Sequence, residues 1–573
     1  LTLHREDAVR IVLALLVLLL GPEGLFAQGR AIDWKGEEKF PQPPKVSEAL
    51  VDSLGRQYYN LKFKLDPSWA TTKGFHEYDD KLPTYFQRKV NRFLMQSARI
   101  HKRLDKVVED SLSIEKWIDY KAILADIDTQ VFLLDELKVW KSWPTLYADG
   151  MIGGIYSLLV SPEKENLESN LAARLSGLPE VMGRARENLT EPSRLHCQVA
   201  SRSLRDFLPF LEDLAGPTAD ISVDPALIDS AAVSLAGFAD YLDSLAVNAD
   251  PEFALGYDNF IRLLDLKHMI REYPEDLVAY AEQVLSKTGQ ALEDLPEDTG
   301  GGSFDTTAAL ELEPADLLDH YRVEAESALA FIERRDLMTL SGGSRLEIAA
   351  TPAFLRNLIP GYAYLPPGPL DDDQVGRFFV PLPDVLGPDA KIRHQRDFTR
   401  GTFTGPVIHE TYPGHHLQLG TANRNMSFVR RLQADTFTIE GWALYCEELM
   451  AREGYGGNAQ MRRVLEGIIY RAARLIVDVR MQTGEYSLEE AIEFMINETG
   501  WSRSYIEKEV MRYAVEPAQA MSYIIGKREI MNIRDDLRGE MGDAFTLKAF
   551  HDNLLSCGSI QLYLLRTCVL LKS

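Results

Sequence analysis

The sequence predicts a mainly α-helical protein: one large helical body with a deep cleft and at most a small β element beside its candidate site. Three observations carry that expectation. From Val46 onward, apolar residues recur at i, i+3 and i+4 through most of the chain, the period of a helix face turned toward a core. Strand-like stretches are few. The breaks between helical patterns are short and no internal repeat of fixed period appears, which favours one helical body over several independent domains.

Taken in order, residues 1–27 read as a secretory signal. Arg5 and Arg10 flank the start of an unbroken apolar run, 11–20, and the small-residue exit LFAQG follows, with cleavage expected after Ala27. The run is too short to span a bilayer comfortably, and no cysteine lies near the cut. The mature chain is therefore expected in the periplasm or outside the cell, neither lipid-attached nor stably inserted in a membrane; an uncleaved anchor is the alternative. Residues 28–46, rich in proline, glycine and charge, read as a linker, and 47–573 as the helical domain. Within it, SEALVDSLGRQYYNLKF, SLSIEKWIDYKAILADIDTQVFLLDEL, DLVAYAEQVLSKTGQALEDL and PADLLDHYRVEAESALAFIERRDLM all show helical spacing. The run GGGS at 300–303 reads as a surface loop, and AYLPPGPLDDD as a proline-rich acidic loop. GRFFVPLPD and RGTFTGPV are the strand candidates. Ser487 with Glu490, and Ser504 with Glu507, fit the capping box, and Pro517 interrupts the helical pattern that follows.

Composition narrows the class. Hydrophobic residues make up 45% and charged residues 26% of the 573-residue chain, a globular balance. A formal net charge of -24 argues against a nucleic-acid partner, which needs a basic surface. The four cysteines, Cys197, Cys446, Cys557 and Cys568, show no C-x-x-C and read mostly as buried thiols.

The chemistry concentrates in PVIHETYPGHHLQLG, residues 406–420. In the zinc-peptidase pattern H-E-x-x-H, two histidines on one helix face share a metal and the glutamate serves as general base to a water. Here His409 and Glu410 keep the first half, but Pro413 stands where the second histidine belongs. His415 and His416 follow six and seven residues after His409. On a straight helix His415 would point about 120° away, and His416 would lie about 10.5 Å along the axis. Pro413 removes an amide and Gly414 adds freedom, so the helix is expected to kink or bulge and return one of the two rings to the metal. Downstream, Asp435 reads as an N-cap, and Glu440 lies in an otherwise apolar turn. A carboxylate there is costly to bury unless paired or metal-bound, which makes it the candidate third ligand. A hydrogen-bonded core cluster without metal is the competing reading.

HETYPGHHLQ followed by EGWALYCEEL resembles the signature of the bacterial family known as domain of unknown function 885. DPSWATTKGFHEYD, TPAFLRNLIPGYAYLPP, RAARLIVDV, RYAVEPAQAMSY and FHDNLLSCGSI resemble its other blocks. The resemblance implies a helical zincin-like (gluzincin-type) fold, similar in architecture to thimet-type oligopeptidases and carboxypeptidase Taq. It implies one zinc ion per chain, held by His409, by His415 or His416, and by Glu440, with Glu410 as base. The Gly414-His415 order favours His415. In RYAVEPAQAMSY, Arg512, Tyr513 and Tyr523 are candidates for carboxylate anchor and oxyanion donor; core tyrosines with satisfied hydroxyls are the alternative. Arg474 and Asp478, spaced i, i+4, read as a structural ion pair. The chain departs from the family pattern at Arg480 (Gly), Gln482 (His), Ala518 (Gly) and Gln561 (Pro). The function so expected is an exported zinc metallopeptidase acting on short peptides. A peptide-binding pseudo-peptidase, and a metal-dependent amidase or ester hydrolase, are the alternatives.

Overall fold

The computed structural model describes residues 45–215, 221–296, 314–340, 344–352, 361–381 and 403–572. The expected signal, the GGGS loop and the expected linker as far as residue 44 lie outside the described residues, and the first described helix begins at Lys45, two residues before the expected domain start. The chain runs through α1 (Lys45–Leu65), α2 (Pro67–Thr72), α3 (Gln87–Leu104), α4 (Ile114–Val131), α5 (Pro144–Val160), α6 (Leu167–Asn188), α7 (Arg194–Leu214), α8 (Pro225–Ala246), α9 (Tyr257–His268), α10 (Pro274–Asp294) and α11 (Pro314–Arg335). Three strands follow: β1 (Arg345–Ala350), β2 (Ala363–Leu365) and β3 (Val375–Val380). Then come α12 (Thr404–Glu410), α13 (His415–Ala422), α14 (Phe428–Leu432), α15 (Thr436–Arg452), α16 (Gly457–Gln482), α17 (Leu488–Thr499), α18 (Arg503–Val515), α19 (Ser522–Met541), α20 (Leu547–Ser556) and α21 (Leu562–Lys572). The protein is mainly α, as its periodicity predicts. Among the described residues, no helix is long and apolar enough to cross a membrane.

Local chemistry explains several boundaries. Asp66 caps α2 through the Trp69 amide at 2.9 Å, with Pro67 in the first turn where no amide is needed. Ser487 and Glu490 form the expected capping box of α17. The second expected box does not form. Helix α18 starts after Ser502 instead, because Glu507 is engaged by Arg503 at 2.8 Å and is not free to reach back. Val515 ends α18 two residues before Pro517.

The sheet has the order β1-β3-β2, with β1 parallel and β2 antiparallel to β3. GRFFV is therefore a strand, as expected. The other candidate, RGTFTGPV, is not one over its described part: Thr404–Glu410 is helical. Phe403 and Val407, one helical turn apart, both pack on Tyr321, Ile348, Phe378 and Val380, so the period of four wins over alternation. The sheet thereby supports the helix that carries His409. Cys197 and Cys446 are buried thiols, but Cys557 and Cys568 form a disulfide joining the end of α20 to α21, which corrects the reading of most cysteines as free.

Candidate metal centre

The helix that begins at Thr404 stops at Glu410, and a new one starts at His415. Between them the Tyr412–Pro413 peptide is cis. Pro413 has no amide to continue the ladder, and the chain folds back so that the Gly414 amide donates to the Ile408 carbonyl at 3.0 Å. A β-carbon on Gly414 would collide with the carbonyl oxygens of His409 and Ile408, so only glycine fits this approach. The break is deeper than a kink or bulge: it makes two helices. Helix α15 holds it in place, the Trp442 indole donating to the Pro413 carbonyl at 2.8 Å.

The break brings His409, His415 and Glu440 together, with one donor atom from each lying within 4.8 Å of the others. His409 Nε2 is 3.4 Å and His415 Nε2 3.5 Å from the same oxygen, Oε2 of Glu440. That oxygen is buried and accepts no hydrogen bond of good geometry. Such an orphan is costly. Ligand atoms about 2.0–2.1 Å from a tetrahedral metal lie roughly 3.3–3.4 Å apart, so both separations fit three donors converging on one cation. The electrostatics agree. Burial disfavours a charged His409 ring, but the carboxylates of Glu440 and Glu447 outweigh it and raise its pKa to about 10. Burial likewise opposes ionisation of Glu440, yet His409 and His415 hold its pKa well below the ordinary carboxylate range. The pocket is built around positive charge.

Glu447 was not singled out for this role by its sequence position. It lies two turns after Glu440 on α15, and its Oε1 is 2.7 Å from His409 Nδ1 and 3.0 Å from Arg471 Nη2. Holding a proton on Nδ1 in this way would leave Nε2 as the ligating nitrogen if a cation displaced the second proton. Among the three glutamates of α15, the i, i+7 spacing that puts Glu447 on a similar face to Glu440 is the signal that points to it.

Tyr523 of α19 stacks over His409, ring centroids 6.3 Å apart. Burial and the nearby Glu440 raise its pKa, so the phenol keeps its proton. The reason it arrives there is a close helix crossing. A β-carbon on Gly441 would strike the backbone of Gly526, and one on Gly526 the carbonyl of Phe437. With both glycines in contact, Glu440 and Tyr523 face one space. Glu410, in the last turn of α12, is half-buried and has no hydrogen-bond or ion-pair partner among the described residues.

The other candidates fall elsewhere. Of the two alternative histidines, His415 joins the cluster and His416 does not. His416 turns to the opposite side, Nδ1 2.9 Å from the Tyr364 hydroxyl and Nε2 3.5 Å from Ser344 Oγ. Adjacent helical residues point about 100° apart, so one ring facing the cluster sends the other away. Arg512 is engaged by Glu509 at 2.8 Å and Gln519 at 3.0 Å, and no hydrogen bond or ion pair joins it to the three clustered residues. Tyr513 is a core residue whose hydroxyl meets Glu509 and Tyr470. Arg474 and Asp478 do not pair directly. Asp478 accepts the amides of Ala518 and Met521, while Arg474 donates to Gln519. Together they hold the turn leading into α19. Arg480 bonds Tyr486 and Glu282, and Gln482 bonds Leu255 and Ala514. Neither departure touches the cluster. Ala518 sits at φ +70°, the left-handed conformation that the family's glycine accommodates without strain.

Fold and site together define a mainly helical protein with a buried His–His–carboxylate cluster at a break between two helices. The chain belongs to the family described as "Bacterial protein of unknown function (DUF885)", whose profile matches residues 67–569. Two solved structures share the fold. One is a "putative lipoprotein of unknown function" from Shewanella oneidensis, 22% identical, with a TM-score of 0.74 over 91% of this chain and 99% of the other. The second, a "putative lipoprotein" from Colwellia psychrerythraea, is 18% identical, with a TM-score of 0.74 over 92% and 99%. Among curated proteins none matches.

Proposed function

We propose that this protein is an exported zinc-dependent metallopeptidase that hydrolyses short peptides. The observation that carries the reading is the orphaned Glu440 oxygen, set 3.4 and 3.5 Å from two imidazole nitrogens. Those spacings suit zinc, which takes histidine and carboxylate ligands in tetrahedral sites and leaves a fourth position open when catalytic. One zinc ion held by His409, His415 and Glu440 supplies Lewis acidity and lowers the pKa of water toward about 7.

The chain's own residues do the rest. Glu410, next in sequence to His409 and without a partner among the described residues, takes the proton of the attacking water and hands it to the leaving amine. Tyr523, kept protonated by its surroundings, donates a hydrogen bond to the oxyanion that develops on the scissile carbonyl. Glu447 fixes the tautomer of His409. Export is supported by the arginine-flanked apolar run near the start of the sequence and by the Cys557–Cys568 disulfide, which suits an oxidising compartment. The periplasm or the exterior is then the place of action.

Elemental analysis of the purified chain beside its Glu440→Ala variant, followed by a peptide-library digest, tests the reading. We expect about one zinc per chain in the first and little in the second, with peptide cleavage following the metal. A metal-free protein, or a zinc-loaded one that cleaves no peptide in the library, refutes it.

A further inference from the structure

A second cavity, about 260 Å³, opens one helical turn from the cluster. Thr436 in its wall precedes Glu440 by four residues on α15, about 6 Å along the axis. Gln519 in the opposite wall precedes Tyr523 by four residues. The cavity wall thus lies about one helical turn from Glu440 along α15 and four residues from Tyr523 in the chain. Its remaining lining includes Trp143, Val515, Glu516 and Lys267.

Lys267 is the unusual member. Its side chain is solvent-accessible, yet desolvation by the surrounding protein lowers its pKa. Both hold for a group that lines an accessible cavity with protein packed around it. No hydrogen bond or ion pair engages its ammonium among the described residues, and of the two acids whose charge reaches it, Asp435 is 2.7 Å from His268 and Glu516 is 3.6 Å from Arg512. The neighbouring backbone is fixed: His268 pairs with Asp435, the N-cap of α15, at 2.7 Å. Gln519 adds a second donor. Arg474 and Arg512 both donate to its Oε1, at 3.2 and 3.0 Å, so its amide nitrogen is left to donate elsewhere.

We propose that this cavity seats the carboxy-terminal end of a peptide, with Lys267 binding the α-carboxylate and Gln519 assisting. The inference rests on the peptidase reading above and deepens it: substrates are recognised by a free carboxyl terminus. An extended residue spans up to about 3.6 Å. The roughly 6 Å between cluster and cavity therefore corresponds to a leaving group of one or two residues. Leu133, Leu263 and Val515 favour an apolar last side chain.

The test separates binding from turnover. In the zinc-loaded Glu410→Gln chain, the affinity of Ala-Ala-Ala-Leu is measured by calorimetry beside its carboxamide and its N-acetyl form. A charge-assisted contact predicts that the acid binds roughly 10- to 100-fold tighter than the amide. N-acetylation should change little. Adding Lys267→Met should bring the acid-to-amide ratio close to one, and Lys267→Arg should retain most of it. The proposal is overturned if acid and amide bind alike, if none of the three binds, if discrimination survives Lys267→Met, or if N-acetylation is what weakens binding. Carboxylate-selective binding without hydrolysis by the unaltered zinc-loaded chain would refute the peptidase reading and leave the anchor standing.

Discussion

Replacing Glu447 by Gln tests how the site holds its first ligand. The wild-type carboxylate accepts hydrogen bonds from His409 Nδ1 at 2.7 Å and from the Arg471 guanidinium at 3.0 Å on one oxygen. An acceptor-only partner at Nδ1 forces the proton there and leaves Nε2 free to ligate. The glutamine amide has nearly the same shape but no charge, and one of its ends is a donor. If its NH2 group faces His409, the proton moves to Nε2, the atom that must bind the metal. If its oxygen faces His409, the tautomer and both hydrogen bonds are kept, but the half-buried charge of Arg471 loses its counter-charge. Either arrangement weakens the site without removing a ligand. Losses of this kind cost about 10- to 100-fold in metal affinity, or roughly 1.4–2.7 kcal/mol. Competition against a chromophoric zinc chelator at one fixed pH measures the affinity, and peptide hydrolysis at saturating zinc measures what remains. Glu447→Gln should bind zinc 10- to 100-fold more weakly and recover most of its activity when zinc is in excess. An affinity equal to the wild type would refute the positioning argument. A collapse of the unfolding transition would show Glu447 to be a structural residue first.

Four further outcomes are expected. Glu410→Gln should retain about one zinc per chain by elemental analysis while losing roughly 10²–10⁴-fold in turnover, the worth of a general base. His409→Ala and His415→Ala should each lose zinc, whereas His416→Ala should keep it, since its ring faces Tyr364 and Ser344; a metal-free His416→Ala would misplace the second ligand. Gly441→Ala should destabilise the protein by roughly 1–3 kcal/mol in denaturant titrations, because a methyl there meets the backbone of Gly526. His76, clamped at 2.8 Å by both Asp79 and Asp371, has its pKa raised to about 10 by those partners against the opposing effect of burial. Its folded pKa lies above the unfolded value, so its stabilisation is complete below about pH 6.5 and fades as pH rises through about 10. A stability–pH curve for His76→Gln should therefore lack that component of the alkaline decline, and a curve parallel to the wild type would count against the clamp.

Much of this was legible in the chain because it rests on local rules. Helical period, the Asp435 cap and the Ser487–Glu490 box need only neighbours within a turn or two. The unusual placement of Pro413 and Gly414 is legible as a disturbance, and the cost of burying Glu440 marks it as a candidate ligand. What the sequence left open depends on contacts between elements. The choice between His415 and His416 turns on the direction in which α13 leaves the break, and that is set by Trp442 on α15. Thr404–Val407 follow Phe403 in an order that suits a strand, yet α11 and the sheet bury Phe403 and Val407 together and select a helix. Arg512 is a cation close in sequence to Tyr523, and nothing local reveals that Glu509 and Gln519 occupy it. Lys267 is further removed still: its meaning comes from a cavity walled by four separate parts of the chain.

The break and the ligand helix explain each other. An insertion between two metal-binding histidines on one helix should ruin the site, since His415 would stand about 120° from His409. Ending the first helix at Glu410 removes that constraint, but a free break would let His415 wander, and a loosely held ligand binds poorly. Three consecutive residues of α15 supply what is missing. Glu440 faces both imidazoles, Gly441 admits α19 and its Tyr523, and Trp442 pins the Pro413 carbonyl from the other side. Each successive residue on a helix turns by about 100°, so these three tasks fall on three faces of one turn: toward the cluster, toward α19 and toward the break. Exchanging any two would point the carboxylate at a helix backbone or the indole at the cluster. The order Glu-Gly-Trp is thus a geometric requirement of a site whose second histidine arrives from a separate helix, and the altered spacing of the first motif and the composition of the second are two halves of one solution.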